Sequence, residues 1–250
     1  MKTKIILPII TILAIILIAS CQKYEVVPYE TKIKYIIRGD DTTEFFYDYN
    51  GRLNRMKVRG GVFEFNYKNN YILQSFQDDS NYITKSKLIP DENGYIVERK
   101  LGIEDNSPSF HYQYDNNGYL TQVYNREDLL FMYVVENGNI IKRLSYGVED
   151  ENSVYISYTD TLNKFNYLRP YGIYRYDGLN FFGKPTRNLI KETVQQYESI
   201  EDDTPTYNVE KYRYNLIDGK ISEIFIDDYN RFGLDSLEYL NTVSLKIIYY

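Results

Sequence analysis

The chain has one cysteine, one histidine and no tryptophan in 250 residues. A lone imidazole, His111, leaves any Ser-His-Asp triad to be built around a single side chain. Metal sites of imidazole or thiolate type fail for want of ligands. The nearest match to a calcium loop, Asp228-Tyr229-Asn230-Arg231-Phe232-Gly233, has Phe at its fifth position and Tyr239 at its twelfth, where a bidentate Glu is required. That excludes an EF-hand and leaves only oxygen ligation by Asp227, Asp228, Asn230 and Asp235 to weigh, so no metal and no cofactor are expected. Basic residues are in the minority, 29 Lys and Arg against 35 Asp and Glu, a formal net charge of −6. A surface of that sign does not attract phosphate backbones, which argues against nucleic acid as a partner.

What is present begins with the first twenty residues. Lys2 and Lys4 give a short basic start, Ile5 to Ile18 is almost wholly apolar, and Leu17-Ile18-Ala19-Ser20-Cys21 places small residues just before the cysteine. The apolar run is too short for a transmembrane helix, is interrupted by Pro8 and Thr11, and no basic cluster follows it. The pattern resembles a bacterial lipobox. The resemblance implies that Cys21 is acylated and becomes the first residue of the mature protein. Several acyl chains make a stable membrane anchor where one is marginal. Gln22 stands where Asp would favour inner-membrane retention in the usual Gram-negative sorting, so an outer-membrane lipoprotein facing the periplasm or the surface is expected. Removal of residues 1–20 takes the formal charge from −6 to −8 and leaves no free thiol once Cys21 carries lipid. Disulfides and thiolate nucleophiles are then excluded. The expected organisation is a signal peptide over 1–20, a tether over 21–32 and a single domain over 33–250.

Composition sets the fold class. There are 29 Tyr and 12 Phe, and Tyr, Phe, Ile and Val fit a pleated, half-buried surface. Only Asn188 to Glu198 invites a helix. Elsewhere short alternating runs end in Asn-Gly or Asp-Gly, as in Phe45 to Leu53, Ile89 to Ile96, Tyr112 to Leu120, Tyr133 to Ile140 and Tyr212 to Ile221. A two-residue type I′ turn needs positive φ at both central residues, which Asn or Asp followed by Gly tolerates. Each unit therefore reads as a β-hairpin, with Asn117 and Gly118 as one positive-φ pair. Gly94, Gly118 and Gly138 lie 24 and 20 residues apart, the period of a strand pair with its return turn. Before Gly118, Phe110, Tyr112 and Tyr114 point one way and His111, Gln113 and Asp115 the other. A long antiparallel meander of this kind leaves sticky edges unless it curls, so an open or closed barrel is expected. A membrane-spanning barrel is set aside, because it needs an apolar outer band about 25 Å tall.

The recurring Tyr-x-Tyr-Asp-x-Asn-Gly-x-Leu, clearest at Tyr112 to Leu120, resembles the YD repeats of Rhs-type shells. With the lipobox it looks more like a family of uncharacterised Bacteroidetes lipoproteins with a porin-like fold, which implies a β-meander with a less regular insert, here about 159–190. The family supplies no catalytic residues. A further resemblance, to the O-glycosylation acceptor pattern of exported proteins in that phylum, marks Thr42, Thr161 and Ser236.

Carboxylates are the only abundant catalytic currency, and a glycosidase needs two across a cleft. Asp40-Asp41, Asp78-Asp79, Glu201-Asp202-Asp203 and Asp227-Asp228 are adjacent in sequence, and strand neighbours point to opposite faces. A carboxylate-dependent glycoside hydrolase is thus the alternative. The leading expectation is a lipid-anchored envelope module, binding or structural, that uses tyrosine surface for a glycan, peptide or protein ligand. Tyr167, Tyr171, Tyr174, Tyr176, Phe181 and Phe182 in the insert are its candidate binding residues, because they are dense and lack sustained strand alternation.

Overall fold

The computed structural model describes residues 32–104, 106–146, 152–163, 182–197, 206–232 and 237–250. Among them sixteen strands form one closed antiparallel barrel. In chain order they are β1 (Ile33–Arg38), β2 (Asp41–Tyr47), β3 (Leu53–Val58), β4 (Gly61–Tyr67), β5 (Ile72–Asp78), β6 (Ile83–Pro90), β7 (Ile96–Lys100) and β8 (Ser109–Tyr114), followed by β9 (Leu120–Asn125), β10 (Asp128–Glu136), β11 (Asn139–Ser145), β12 (Ser153–Leu162), β13 (Asn188–Tyr197), β14 (Thr206–Ile217), β15 (Lys220–Phe232) and β16 (Glu238–Tyr249). Every strand pairs with its sequence neighbours, and β1 closes the ring on β16 through Ile33↔Tyr249 to Arg38↔Leu245. Closure leaves no exposed strand edge.

The wall carries charge outside, among aromatics such as Phe46, Phe225 and Tyr229, and is largely apolar inside. Phe63, Phe65, Ile72, Leu88, Ile96, Tyr112, Ile140, Ile156, Ile221 and Ile247, drawn from strands all round the ring, join one buried cluster. The barrel is therefore collapsed onto its own side chains. The alternate residues carry charge: Glu44 faces Lys57, Arg55 faces Glu64, and Arg213 makes a two-pronged contact with Asp227 at 2.8 and 2.9 Å. His111 lies on this outer face, its Nε2 3.0 Å from Ser109 Oγ, while Phe110, Tyr112 and Tyr114 point inward, as their alternation predicts.

Two local devices explain the Tyr-Asp spelling. The aspartate caps the turn. Asp48, Asp91 and Asp115 each accept the main-chain N–H groups two and four residues on, all at 2.9 Å. The glycine three residues after each aspartate takes the positive φ, 76° at Gly51, 83° at Gly94 and 85° at Gly118. These loops correct the expected two-residue turn: positive φ falls on Gly118 and not on Asn117, because the aspartate carboxylate holds a longer loop closed by one left-handed glycine. The two-residue form with both central φ positive does occur, at Asn137-Gly138 and Asp218-Gly219.

The tyrosine serves the next strand. Seven odd-numbered strands start with a β-bulge that brings residues three apart to the inner face: Ile33 and Ile36, Leu53 and Met56, Ile96 and Arg99, Leu120 and Val123, Ile140 and Arg143, Ile190 and Thr193, Ile221 and Ile224. A bulge disrupts the ladder locally, and a buried carbonyl left there needs a donor. On six of the seven a tyrosine at or near the end of the following strand provides it: Tyr47 to Ile33, Tyr67 to Leu53, Tyr114 to Ile96, Tyr158 to Ile140, Tyr214 to Ile190 and Tyr249 to Ile221, at 2.6 to 3.0 Å. Strand β5 has no such bulge, and β6 ends opposite it in Pro90 instead of Tyr.

Of the stretch Asn188 to Glu198 that invites a helix, Asn188–Tyr197 is strand β13. Its bulge puts Ile190 and Thr193 on one face, a three-residue spacing that imitates helical periodicity. In the region of the expected insert, β12 runs to Leu162 and β13 starts at Asn188.

Candidate functional site

The interior is largely apolar except in one sector of one end. At one end lie the Asp-capped and Asn-Gly turns, both termini of the barrel and the β12–β13 connection; the core there is apolar. The returning limb of that connection closes this hairpin end. Phe182 is 2 % exposed with its ring 4.9 Å from that of Tyr112, Lys184 N donates to Gly118 O at 2.7 Å, and Arg187 N donates to Gly138 O at 2.8 Å. Asn139 and Asn188 exchange two hydrogen bonds beside it, at 2.9 and 3.1 Å.

At the opposite end, where β11 and β12, β13 and β14, and β15 and β16 are joined, inward positions turn polar. Arg143 and Ser145 on β11, Thr193 and Tyr197 on β13, Asn208, Glu210 and Tyr212 on β14, and Asp228 on β15 form a layer. Register explains it: Thr193 is opposite Glu210, which is opposite Asp228, so all three share the inner face. Glu210 Oε2 accepts the Tyr212 hydroxyl at 2.6 Å and the Thr193 hydroxyl at 3.1 Å, and Asp228 Oδ1 accepts Asn208 Nδ2 at 2.8 Å. Arg143, 7 % exposed, lies 5.4 Å from the Phe131 ring. Burial raises the Tyr197 phenol; Arg143 opposes that rise and the Glu210 and Asp228 carboxylates add to it. Two carboxylates on directly paired strands repel, and the donors around them offset that cost.

This layer can grip a polar ligand through carboxylate, amide, hydroxyl and guanidinium groups. As acid–base machinery it is a weaker fit. Glu210 and Asp228 sit side by side on one sheet, and each accepts hydrogen bonds from neighbouring strands, whereas a glycosidase holds its two carboxyl groups across a substrate cleft. The rim at this end mixes apolar residues with charged ones such as Asp40, Arg59, Asp79 and Glu127. Tyr82 is 68 % exposed, and Ile83, Leu101, Ile103, Leu237, Tyr239 and Leu240 are exposed with it.

Of the residues singled out in the sequence, Phe182 is core. Tyr167, Tyr171, Tyr174, Tyr176 and Phe181 lie outside the described residues, as do Cys21 and Ser236. Thr42 on β2 and Thr161 near the end of β12 are exposed. Asp227 and Asp228 go to opposite faces, one to Arg213 outside and one to Asn208 inside. Among the described residues no group of three or more His, Cys, Asp or Glu is placed to hold a metal. The inner polar layer is missed by a simple alternation from each strand start, because the bulges reverse the phase at Arg143 and Thr193. The Ile-x-x-Arg of Ile140 to Arg143 and the Ile-x-x-Thr of Ile190 to Thr193, set beside the apolar pairs Leu53/Met56, Leu120/Val123 and Ile221/Ile224 at the same place after their turns, are the signal that finds it.

No protein-family model matches the chain, and no curated protein matches it. Among solved structures it is similar to a porin-like protein from Bacteroides vulgatus ATCC 8482, with a TM-score of 0.54 at 13 % identity, over 88 % of this chain and 99 % of that one. At that identity the likeness is one of fold, and the fold of this chain is a porin-like antiparallel β-barrel.

Proposed function

We propose that this protein is an outer-membrane lipoprotein whose barrel stands in water beside the membrane, as a binding or structural module of the cell envelope. The observation that carries the reading is the charge spread over the outer face. Glu44, Lys57, Arg55, Glu64, Arg213 and Asp227 project from the outer face. Each Arg or Lys on a lipid-facing strand costs about 2–4 kcal/mol at the bilayer midplane. Sixteen-stranded porins hold an aqueous channel, whereas the inside here is packed. The barrel has the strand architecture of a porin with charged residues distributed over its outer face, so it needs another means of staying at a membrane. The lipobox before Cys21 supplies one. The ligand face is the polar layer with the exposed tyrosines and aliphatics of its rim, suited to a glycan, a peptide or a partner protein. O-glycans on Thr42, Thr161 and Ser236 would add to the hydrophilic exterior.

Mass spectrometry of the native N-terminal peptide tests the anchor: an acylated Cys21 at the mature terminus is expected, and an unmodified Cys21 overturns it. A glycan, peptidoglycan and peptide array tests the module. Binding that falls with Tyr197→Ala and Asn208→Ala is expected; hydrolysis of an arrayed glycan would favour the hydrolase instead.

A further inference from the structure

We infer that one sector of the hairpin end, the β2–β3 and β14–β15 turns on either side of β1, seats on the lipid surface and turns the polar layer away from it. The inference rests on the lipid anchor proposed above. Strand β1 begins at the hairpin end, where Tyr250 N donates to Lys32 O at 3.1 Å. Cys21 to Lys32 is a span of eleven residues, and a fully extended chain covers about 3.3–3.6 Å per residue, so the tether holds this end within about 40 Å of the bilayer.

Around the ring β14, β15, β16, β1, β2 and β3 are consecutive, and the turns of this arc carry bare apolar tips. Tyr49 is 96 % exposed, Ile217 64 % and Leu216 47 %. None of them belongs to the core cluster. Interleaved with them are cations: Lys34 is 5.3 Å from the Tyr250 ring and Lys220 5.4 Å from the Tyr249 ring. Tyrosine with an apolar body and polar tip, aliphatic tips and lysines between them suit the headgroup boundary of an anionic bilayer. Acids stand on both arcs of this end, Asp48 and Asp218 on this one and Asp91, Glu92, Asp115 and Glu136 on the other, but among the described residues its exposed large apolar side chains fall in this sector with the exception of Leu162, so the barrel tilts onto the β14 to β3 sector. Apolarity alone does not choose the end, because Tyr82 and Ile103 leave the far rim equally bare. The tether chooses it.

The absence of tryptophan makes the test direct. Tyr49→Trp, Ile217→Trp and Tyr82→Trp each give a single probe in the full-length lipidated protein, reconstituted into phosphatidylethanolamine–phosphatidylglycerol vesicles with brominated acyl chains. Tyr49→Trp and Ile217→Trp should lose emission to the bromine and shift to the blue, while Tyr82→Trp keeps the emission it has in bromine-free vesicles. Equal quenching at the three positions, quenching at Tyr82→Trp alone, or none at all overturns the seating. Mass spectrometry of the same samples separates the causes: acylated protein with unquenched probes defeats the orientation alone, and protein lacking acyl chains defeats the anchor and the orientation together.

Discussion

Tyr114 donates its hydroxyl to the main-chain oxygen of Ile96 at 2.6 Å, from the end of one strand to the bulged start of its neighbour. Five further tyrosines repeat the contact round the ring, which gives the tyrosine of the Tyr-Asp pair a job distinct from filling the core.

Removing that hydroxyl leaves a carbonyl without its donor while the ring stays in place. Tyr114→Phe and Tyr158→Phe should each cost about 1–3 kcal/mol in urea unfolding. Tyr124→Phe, whose hydroxyl reaches only the Gln122 side chain on the outer face at 2.9 Å, should stay within about 0.5 kcal/mol. Equal costs at the three positions would remove the bulge-capping role.

The same phenols make the protein sensitive to alkali. Burial pushes the Tyr249 phenol up from its ordinary 10 to about 12, and raises Tyr158 and Tyr214 as well. A raised folded pKa means that the folded state holds protons the unfolded state gives up. The stabilisation is fully present below pH 10 and is lost as pH rises towards 12 and beyond. Melting temperature should therefore fall steeply across that window, and less steeply in Tyr249→Phe. A flat profile contradicts the assignment.

Gly118 and Gly219 both hold positive φ, 85° and 74°, but in different surroundings. A Cβ at Gly118 would lie 2.9 Å from the Tyr95 ring, and one at Gly219 meets nothing within 4 Å. Gly219→Ala should cost the backbone strain alone, about 1–2 kcal/mol. Gly118→Ala should cost more, and Gly118→Val and Gly94→Val should melt below wild type too.

Phe182 plugs the hairpin end against Tyr112, so Phe182→Ala should cost about 3–5 kcal/mol. Tyr171→Ala and Tyr174→Ala are expected to leave the melting temperature near wild type. A drop at those two as large as at Phe182→Ala would make the whole connection part of the core.

The barrel was legible in the sequence because two local rules are spelled out in it. Glycine marks the turns, and alternation places Phe110, Tyr112 and Tyr114 inside with His111 outside. What period-two reading misses is the phase reversal after each turn. A bulge makes Ile140 and Arg143 share a face, so Arg143 reads as solvent-facing when it belongs to the interior. The same reversal gives Ile190 and Thr193 the spacing that invites a helix. The polar layer stayed hidden for a second reason: Thr193, Glu210 and Asp228 come from three strands, and only register sets them side by side. Phe182 was legible as an aromatic of the insert but not as a plug, since its burial depends on Tyr112, seventy residues earlier in the chain.

The central claim, a water-facing barrel held to the membrane by lipid alone, is tested most directly by expressing the chain with a cleavable non-lipidated export signal in place of residues 1–20 together with Cys21→Ala, then fractionating without detergent. The account predicts a folded β-rich protein in the soluble fraction. Partition of that protein into the membrane pellet, released only by detergent, would contradict it.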